Sequence, residues 1–195
     1  MLTENEKKVL KIILMAFGEE YSINQIAKQC KIAPNGAMKI LKKLERENII
    51  KPKNIANIKS YKINFEDEKT KSILELALIS EIKGRLKYRY GDIKQLKELV
   101  DACIIFGSYT DLKKEPNDLD LLLVIKKDKF KEYKKKSKVI YVTMPIKIHE
   151  VLQTESDIKK NLSIKDKILI EILRTGLIFW GNNKIIEIIE NEYQG

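Results

Sequence analysis

Apolar residues recur three and four positions apart at the start of the chain (Leu2, Val9, Leu10, Ile13 and Leu14) and predict an amphipathic helix. Thr3 followed by Glu6 has the spacing of a capping box, and Gly18 closes the segment. Ser22 predicts the cap of a second short helix over Ile23–Cys30. A brief Lys31–Ile32–Ala33 connection leads to Pro34, a favoured first-turn residue. The third helix then runs to about Asn48, with Ala37, Ile40, Leu41 and Leu44 inward. The period next shortens: Ile49–Lys53 and Lys59–Ile63 alternate as strands do, and Asn54–Asn57 supply turn chemistry. A helical stripe returns at Ile73, Leu76, Ile79, Ile82 and Leu86, predicting a linker helix within residues 66–92. Ala102–Phe106 is continuously apolar, the pattern of a buried strand, and Leu121–Ile125 repeats it. Ile146–Val151 alternates as a further strand. Lys126–Lys138, strongly basic with Phe130 and Tyr133 interleaved, reads as a solvated amphipathic helix, and Phe179 and Trp180 as the end of an apolar one.

Composition narrows the classes. At 195 residues the chain suits one generous domain or two small ones. Two cysteines, Cys30 and Cys103, and one histidine, His149, argue against a disulfide framework and a Cys/His zinc site. No uncharged stretch approaches the roughly 18 residues of a membrane span, and the charged start MLTENEKKVLK does not resemble a secretory signal, so a cytoplasmic location is expected. The net charge is +10, and residues 1–65 carry +7 of it, from 13 basic and six acidic residues. Such an excess suits a polyanion. Only four of the 38 basic residues are arginine, which fits equally a surface merely solvated by lysine.

Ile26, Ala27, Cys30, Ile32, Ala37 and Ile40 are apolar or small where two helices must cross closely around a tight turn. With the basic hairpin that follows, residues 1–65 resemble a winged helix-turn-helix. The resemblance implies double-stranded DNA as a partner, with Asn35, Lys39, Lys42, Lys43 and Arg46 facing a major groove. Asn35 would reach a base edge, while the lysines and the hairpin's Lys51, Lys53 and Lys59 would meet phosphates. Protein docking with solvated lysines is the other reading of such a module. The 66–92 stripe is either a linker packed on one domain or the seam of a homodimer.

The strand Ala102–Phe106 ends in Gly107–Ser108, where glycine permits close backbone approach and the following amides can face a phosphate. Further on comes Asp118–Leu119–Asp120, opening the next strand. Residues i and i+2 of a strand share a face, so the two carboxylates project together and repel. A divalent cation bridging to substrate phosphates relieves that repulsion, and oxygen ligands suit Mg²⁺ or Mn²⁺. The segment FGSYTDLKKEPNDLDLLLVI is similar to the signature of minimal nucleotidyltransferases in the DNA polymerase β superfamily, with the resemblance covering roughly residues 93–181. It implies a mixed sheet flanked by helices, NTP phosphates (ATP being the expected nucleotide) on Gly107 and Ser108, and metal on Asp118 and Asp120, which would also be the catalytic pair. The chemistry implied is transfer of a nucleoside monophosphate to a protein or RNA hydroxyl. Small domains of this family often act as antitoxins, so a toxin protein is an implied partner.

Departures from the family pattern accompany the likeness. A third carboxylate is expected on the strand Ile146–Val151, where Lys147 stands instead; a lysine there would neutralise the aspartates and compete with a cation. Glu150 falls on the opposite face by alternation, and His149 shares the face of Lys147, as a ligand, a base or a structural residue. The Arg-Gly that commonly follows the turn is replaced by Asp111–Leu112, leaving Lys113 or Lys114 to compensate. The expected architecture is α+β: a winged helix-turn-helix over 1–65, a linker helix over 66–92 and a nucleotidyltransferase-like domain over 93–195. The expected function is a DNA-binding regulator with a nucleotide-binding, catalytically weakened second domain, or alternatively an active transferase. A purely protein-binding module is the remaining reading.

Overall fold

The first helix, α1 (Glu4–Leu14), is closed at its start from both sides. Thr3 Oγ1 accepts from the Glu6 amide (3.3 Å) while the Thr3 amide donates to Glu6 Oε2 (2.7 Å). A computed structural model describes residues 2–55, 58–111 and 115–194. Helix α2 (Ile23–Cys30) repeats the capping device with Ser22 and Gln25. Lys31 then adopts a left-handed φ of 57°, and the Ile32 amide returns to the Ala27 carbonyl at 3.0 Å. This tight stop lets α3 (Pro34–Arg46) start at once, on the proline. Ala27, Ala37, Leu41 and Leu44 are all buried between these helices and α1, and Ile40 is half-buried.

Strands β1 (Ile50–Ile55) and β2 (Ile58–Ile63) form an antiparallel hairpin, Ile50 opposite Ile63 and Lys53 opposite Ser60. The expected turn at Asn54–Asn57 includes Ala56 and Asn57, which lie outside the described residues. The stripe read as one linker helix is two helices, α4 (Glu68–Leu78) and α5 (Arg85–Ile93). The intervening chain includes Gly84 at φ 55°, a conformation that interrupts a helix. Leu76 and Ile79 of that stripe are 54% exposed; the buried side of α4 is Thr70, Leu74, Ala77 and Leu78, and α4 packs on α1.

The chain divides into two units, residues 2–79 with 189–194, and residues 80–188. The second unit is built on a four-stranded mixed sheet of order β5-β4-β3-β6. Its strands are β3 (Val100–Phe106), β4 (Asp118–Ile125), β5 (Lys147–Gln153) and β6 (Leu177–Trp180). β3 runs antiparallel to β4 and β6, while β4 and β5 are parallel, joined by the crossover helix α6 (Phe130–Val142). One sheet face holds Cys103, Ile105, Leu119, Leu121, Leu123 and Ile125 against Tyr133 and Ile140 of α6. On the other face Ile104, Leu122 and Val124 are equally buried, and α7 (Glu155–Ser163) and α8 (Lys167–Thr175) pack against β5 and β3. Burial on both faces explains why the strands read as apolar runs, each such side chain contributing about 1.5–3 kcal/mol.

Phe179 and Trp180, expected at the end of a helix, lie in β6, because α8 stops at Thr175. Gly176 passes so close to Ile104 and the Ile105 carbonyl that a Cβ would not fit there. Trp180 Nε1 donates to the Val100 carbonyl at 2.9 Å, and both aromatic rings meet Tyr90 edge-on. Helix α9 (Asn182–Gln194) closes the chain; its last residues belong to the first unit, where Tyr193 Oη donates to the Ile13 carbonyl at 2.7 Å. The architecture is thus α+β: N-terminal helices with a small hairpin, then a mixed sheet with flanking helices. Among the described residues no helix is long and apolar enough to cross a membrane.

Candidate functional site

Asp118 and Asp120 open β4 as alternate residues, half-buried on one face, with Leu119 fully buried on the other. The strand begins in the open end of the sheet, so the two carboxylates keep solvent access while their backbone is fixed by the apolar run behind them. In the parallel register Asp118 lies opposite Lys147, Asp120 opposite His149, and Leu121 opposite Glu150. Paired residues share a face, so His149 and Lys147 stand on the aspartate side and Glu150 on the other.

His149 is the side chain that closes on the pair. Its Nδ1 is 3.2 Å from Asp118 Oδ2 and 3.5 Å from Asp120 Oδ1. Asp118, Asp120 and His149 each offer a donor atom, all within 4.8 Å of one another, which is a grouping able to hold a metal ion. Lys147 departs from expectation: it is exposed and, among the described residues, pairs with no carboxylate. Burial, with the Asp118 charge adding to it, pushes Asp120 above the ordinary carboxylate range, while His149 pulls the other way.

The Gly107 bend faces this group. Gly107 has φ 69°, and a Cβ on it would overlap Asp120 Oδ2. Glycine is therefore required twice here, for the left-handed backbone and for the close approach of the carboxylate. Gly107–Thr110 forms a 3₁₀ turn with Ser108 half-buried. The turn is held from outside the motif by Arg85, whose Nη2 donates to the carbonyls of Tyr109 (3.1 Å) and Asp111 (2.6 Å) and whose guanidinium lies 4.8 Å from the Tyr109 ring centre. No sequence pattern marks Arg85, which is 24 residues before Tyr109. Lys113 and Lys114, expected to compensate for the missing arginine, lie outside the described residues, as does Leu112.

On the opposite face Glu150 is tied down by α6. Tyr141 Oη donates to Glu150 Oε2 at 3.0 Å, Tyr133 donates to the same oxygen, and Lys134 pairs with the other. The network pins β5 to the crossover helix, one residue from His149.

In the first unit the expected nucleic-acid residues fall into two sets. Asn35, Lys39, Lys42 and Arg46 are exposed along α3, and Asn35 lines a shallow cleft with Ser22, Asn24, Met38 and Lys59. Among the described residues no carboxylate pairs with Lys39, Lys42 or Arg46. The remaining lysines are already paired: Lys43 with Glu6 (2.6 Å), Lys51 with Glu66 (2.5 Å), Lys53 with Glu20 (2.5 Å) and Lys59 with Glu45 (3.2 Å). Burial would raise Glu6, but hydrogen bonds from Lys43 and Thr3 outweigh it and hold the carboxyl below its usual value.

The chain has no significant match among protein-family models, curated proteins or solved structures.

Proposed function

We propose that the chain is a DNA-binding regulator whose second unit is a nucleotidyltransferase-type domain that binds a nucleoside triphosphate together with a divalent cation, Mg²⁺ or Mn²⁺. The observation that carries this reading is the convergence of Asp118, Asp120 and His149 beside a bend where only glycine fits. Asp118 and Asp120 would hold the cation, and the backbone following Gly107 would receive the phosphates, with Arg85 keeping that turn in shape. When bound, the cation supplies charge neutralisation for the triphosphate. Isothermal titration of the full chain with a non-hydrolysable ATP analogue and Mn²⁺ tests this reading. Binding abolished by Asp118→Asn with Asp120→Asn supports it; an unchanged isotherm rejects it.

The DNA-binding half of the proposal rests on the close α2–α3 crossing, with exposed Asn35, Lys39, Lys42 and Arg46 on one side of α3. Duplex binding that weakens steeply with added salt is the expected result, and salt-independent or absent binding would leave a protein-docking module.

A second reading, transfer of a nucleoside monophosphate to a protein or RNA hydroxyl, gains from one finding. Lys147 forms no ion pair with the aspartates, which weakens the charge-neutralisation argument against catalysis. Label transfer from radiolabelled NTP that disappears in Asp118→Ala would establish that reading over the regulatory one. An antitoxin role with a toxin protein partner belongs to this second reading.

A further inference from the structure

The imidazole changes which cation the site can prefer. Two carboxylates alone form a hard oxygen site, suited to Mg²⁺, which keeps most of its water and takes oxygen ligands at about 2.0–2.1 Å. An imidazole nitrogen suits Mg²⁺ poorly, whereas first-row transition ions accept it, Mn²⁺ more weakly than Co²⁺ or Zn²⁺. In this chain the nitrogen is the side-chain donor that reaches both aspartates, at 3.2 and 3.5 Å. Those separations resemble the spacing of neighbouring ligands around one small ion, about 3.0 Å in octahedral and 3.3 Å in tetrahedral coordination. The three donors come from two adjacent parallel strands whose register is fixed along all of β5, so the grouping does not depend on a loop. Glu150, the nearest acid on β5, is committed to Tyr133, Tyr141 and Lys134 on the opposite face and does not complete an all-oxygen set.

We infer that His149 is a third metal ligand and that the site selects a nitrogen-accepting transition ion, Co²⁺ or Zn²⁺, over Mg²⁺. The inference rests on the reading of Asp118 and Asp120 as cation ligands and revises the ion they hold, from Mg²⁺ toward one that accepts nitrogen. His149 is the only histidine of the chain, so its ring resonances are unambiguous.

The test uses the full chain without nucleotide. Co²⁺ and Mg²⁺ affinities are measured by calorimetry for wild type, His149→Asp and Asp118→Asn/Asp120→Asn, and the imidazole ¹⁵N resonances are followed during Zn²⁺ addition. The expected result is a Co²⁺/Mg²⁺ affinity ratio that falls about tenfold or more in His149→Asp, together with a Zn²⁺-induced shift of the ring nitrogens. An unchanged ratio, or ring nitrogens that Zn²⁺ does not move, overturns the role of His149 while the aspartate site stands. Metal binding that survives loss of both aspartates, or no binding of any of these ions, overturns the aspartate reading and this inference with it.

Discussion

The two units treat surplus charge in opposite ways. Around the β1–β2 hairpin every lysine expected to meet phosphate (Lys51, Lys53 and Lys59) is paired with a glutamate of its own unit, whereas Lys39, Lys42 and Arg46 on the α3 ridge pair with no carboxylate among the described residues. At the mouth of the mixed sheet two like charges are instead held together, answered by a single imidazole. A self-compensated surface is stable and weakly selective; an uncompensated pair costs stability and is informative about ligands. Net charge alone would have pointed to the hairpin and passed over β4.

The sharpest way to break the contrast is at Gly107. Gly107→Val places a branched side chain at φ 69° and into the Asp120 carboxylate, and should cost about 3 kcal/mol of stability, read by thermal or urea unfolding, with metal binding lost. Next comes the aspartate pair itself. Asp118→Asn with Asp120→Asn should weaken cation binding at least about a hundredfold while stabilising the cation-free chain by roughly 0.5–1 kcal/mol, because the repulsion is gone. The pH dependence has the same origin. Asp120 titrates above its ordinary 3.8 in the folded chain, so its contribution to stability is greatest below that value and is lost as pH rises through the folded pKa. The double variant should flatten that part of the profile, measured by unfolding across pH in chelator.

Glu6 probes the other side of the comparison with a smaller effect and the reverse sign. Its folded pKa lies below 4.5, so its stabilisation is present above that pH and is lost as pH falls through the folded value. Glu6→Gln keeps the cap, as Gln25 does for α2, and should cost about 1 kcal/mol through loss of the charged Lys43 pair, and remove this acid sensitivity. The smallest differences concern individual lysines. Lys39→Ala and Lys42→Ala should each reduce the salt slope of duplex binding by about 1, whereas Lys53→Ala and Lys59→Ala should change it less because glutamates already hold those side chains. Equal effects from both pairs would erase the distinction between ridge and hairpin.

Much of the site could be read in the sequence because its parts are local. Alternation alone puts Asp118 and Asp120 on one face with Leu119 on the other, and a glycine ending an apolar run is visible without coordinates. His149 and Lys147 share a face by the same rule, but which one closes on the aspartates depends on the β4–β5 register. That register is set across a crossover by buried apolar contacts and by the hydroxyls of Tyr133 and Tyr141 on Glu150, none of them local. Arg85 was silent for the same reason. Phe179 and Trp180 read as core residues and are buried, but they lie in a strand rather than at a helix end, because a short apolar run has no period of its own; the lack of room at Gly176 and the Tyr90 contacts belong to the packed chain. The long stripe over 66–92 kept helical spacing across a break whose local sign is a single glycine, Gly84.

The path of α9 bears on how this protein can be dissected. Cutting before the mixed sheet to isolate residues 2–79 also removes Tyr193, whose hydroxyl is hydrogen-bonded to the carbonyls of Ile13 and Leu14 and whose ring meets Phe65 edge-on. A fragment ending at residue 79 therefore leaves those main-chain oxygens without their phenol. A faithful excised head would need the final six described residues, 189–194, grafted back on, as in a circularly rearranged chain.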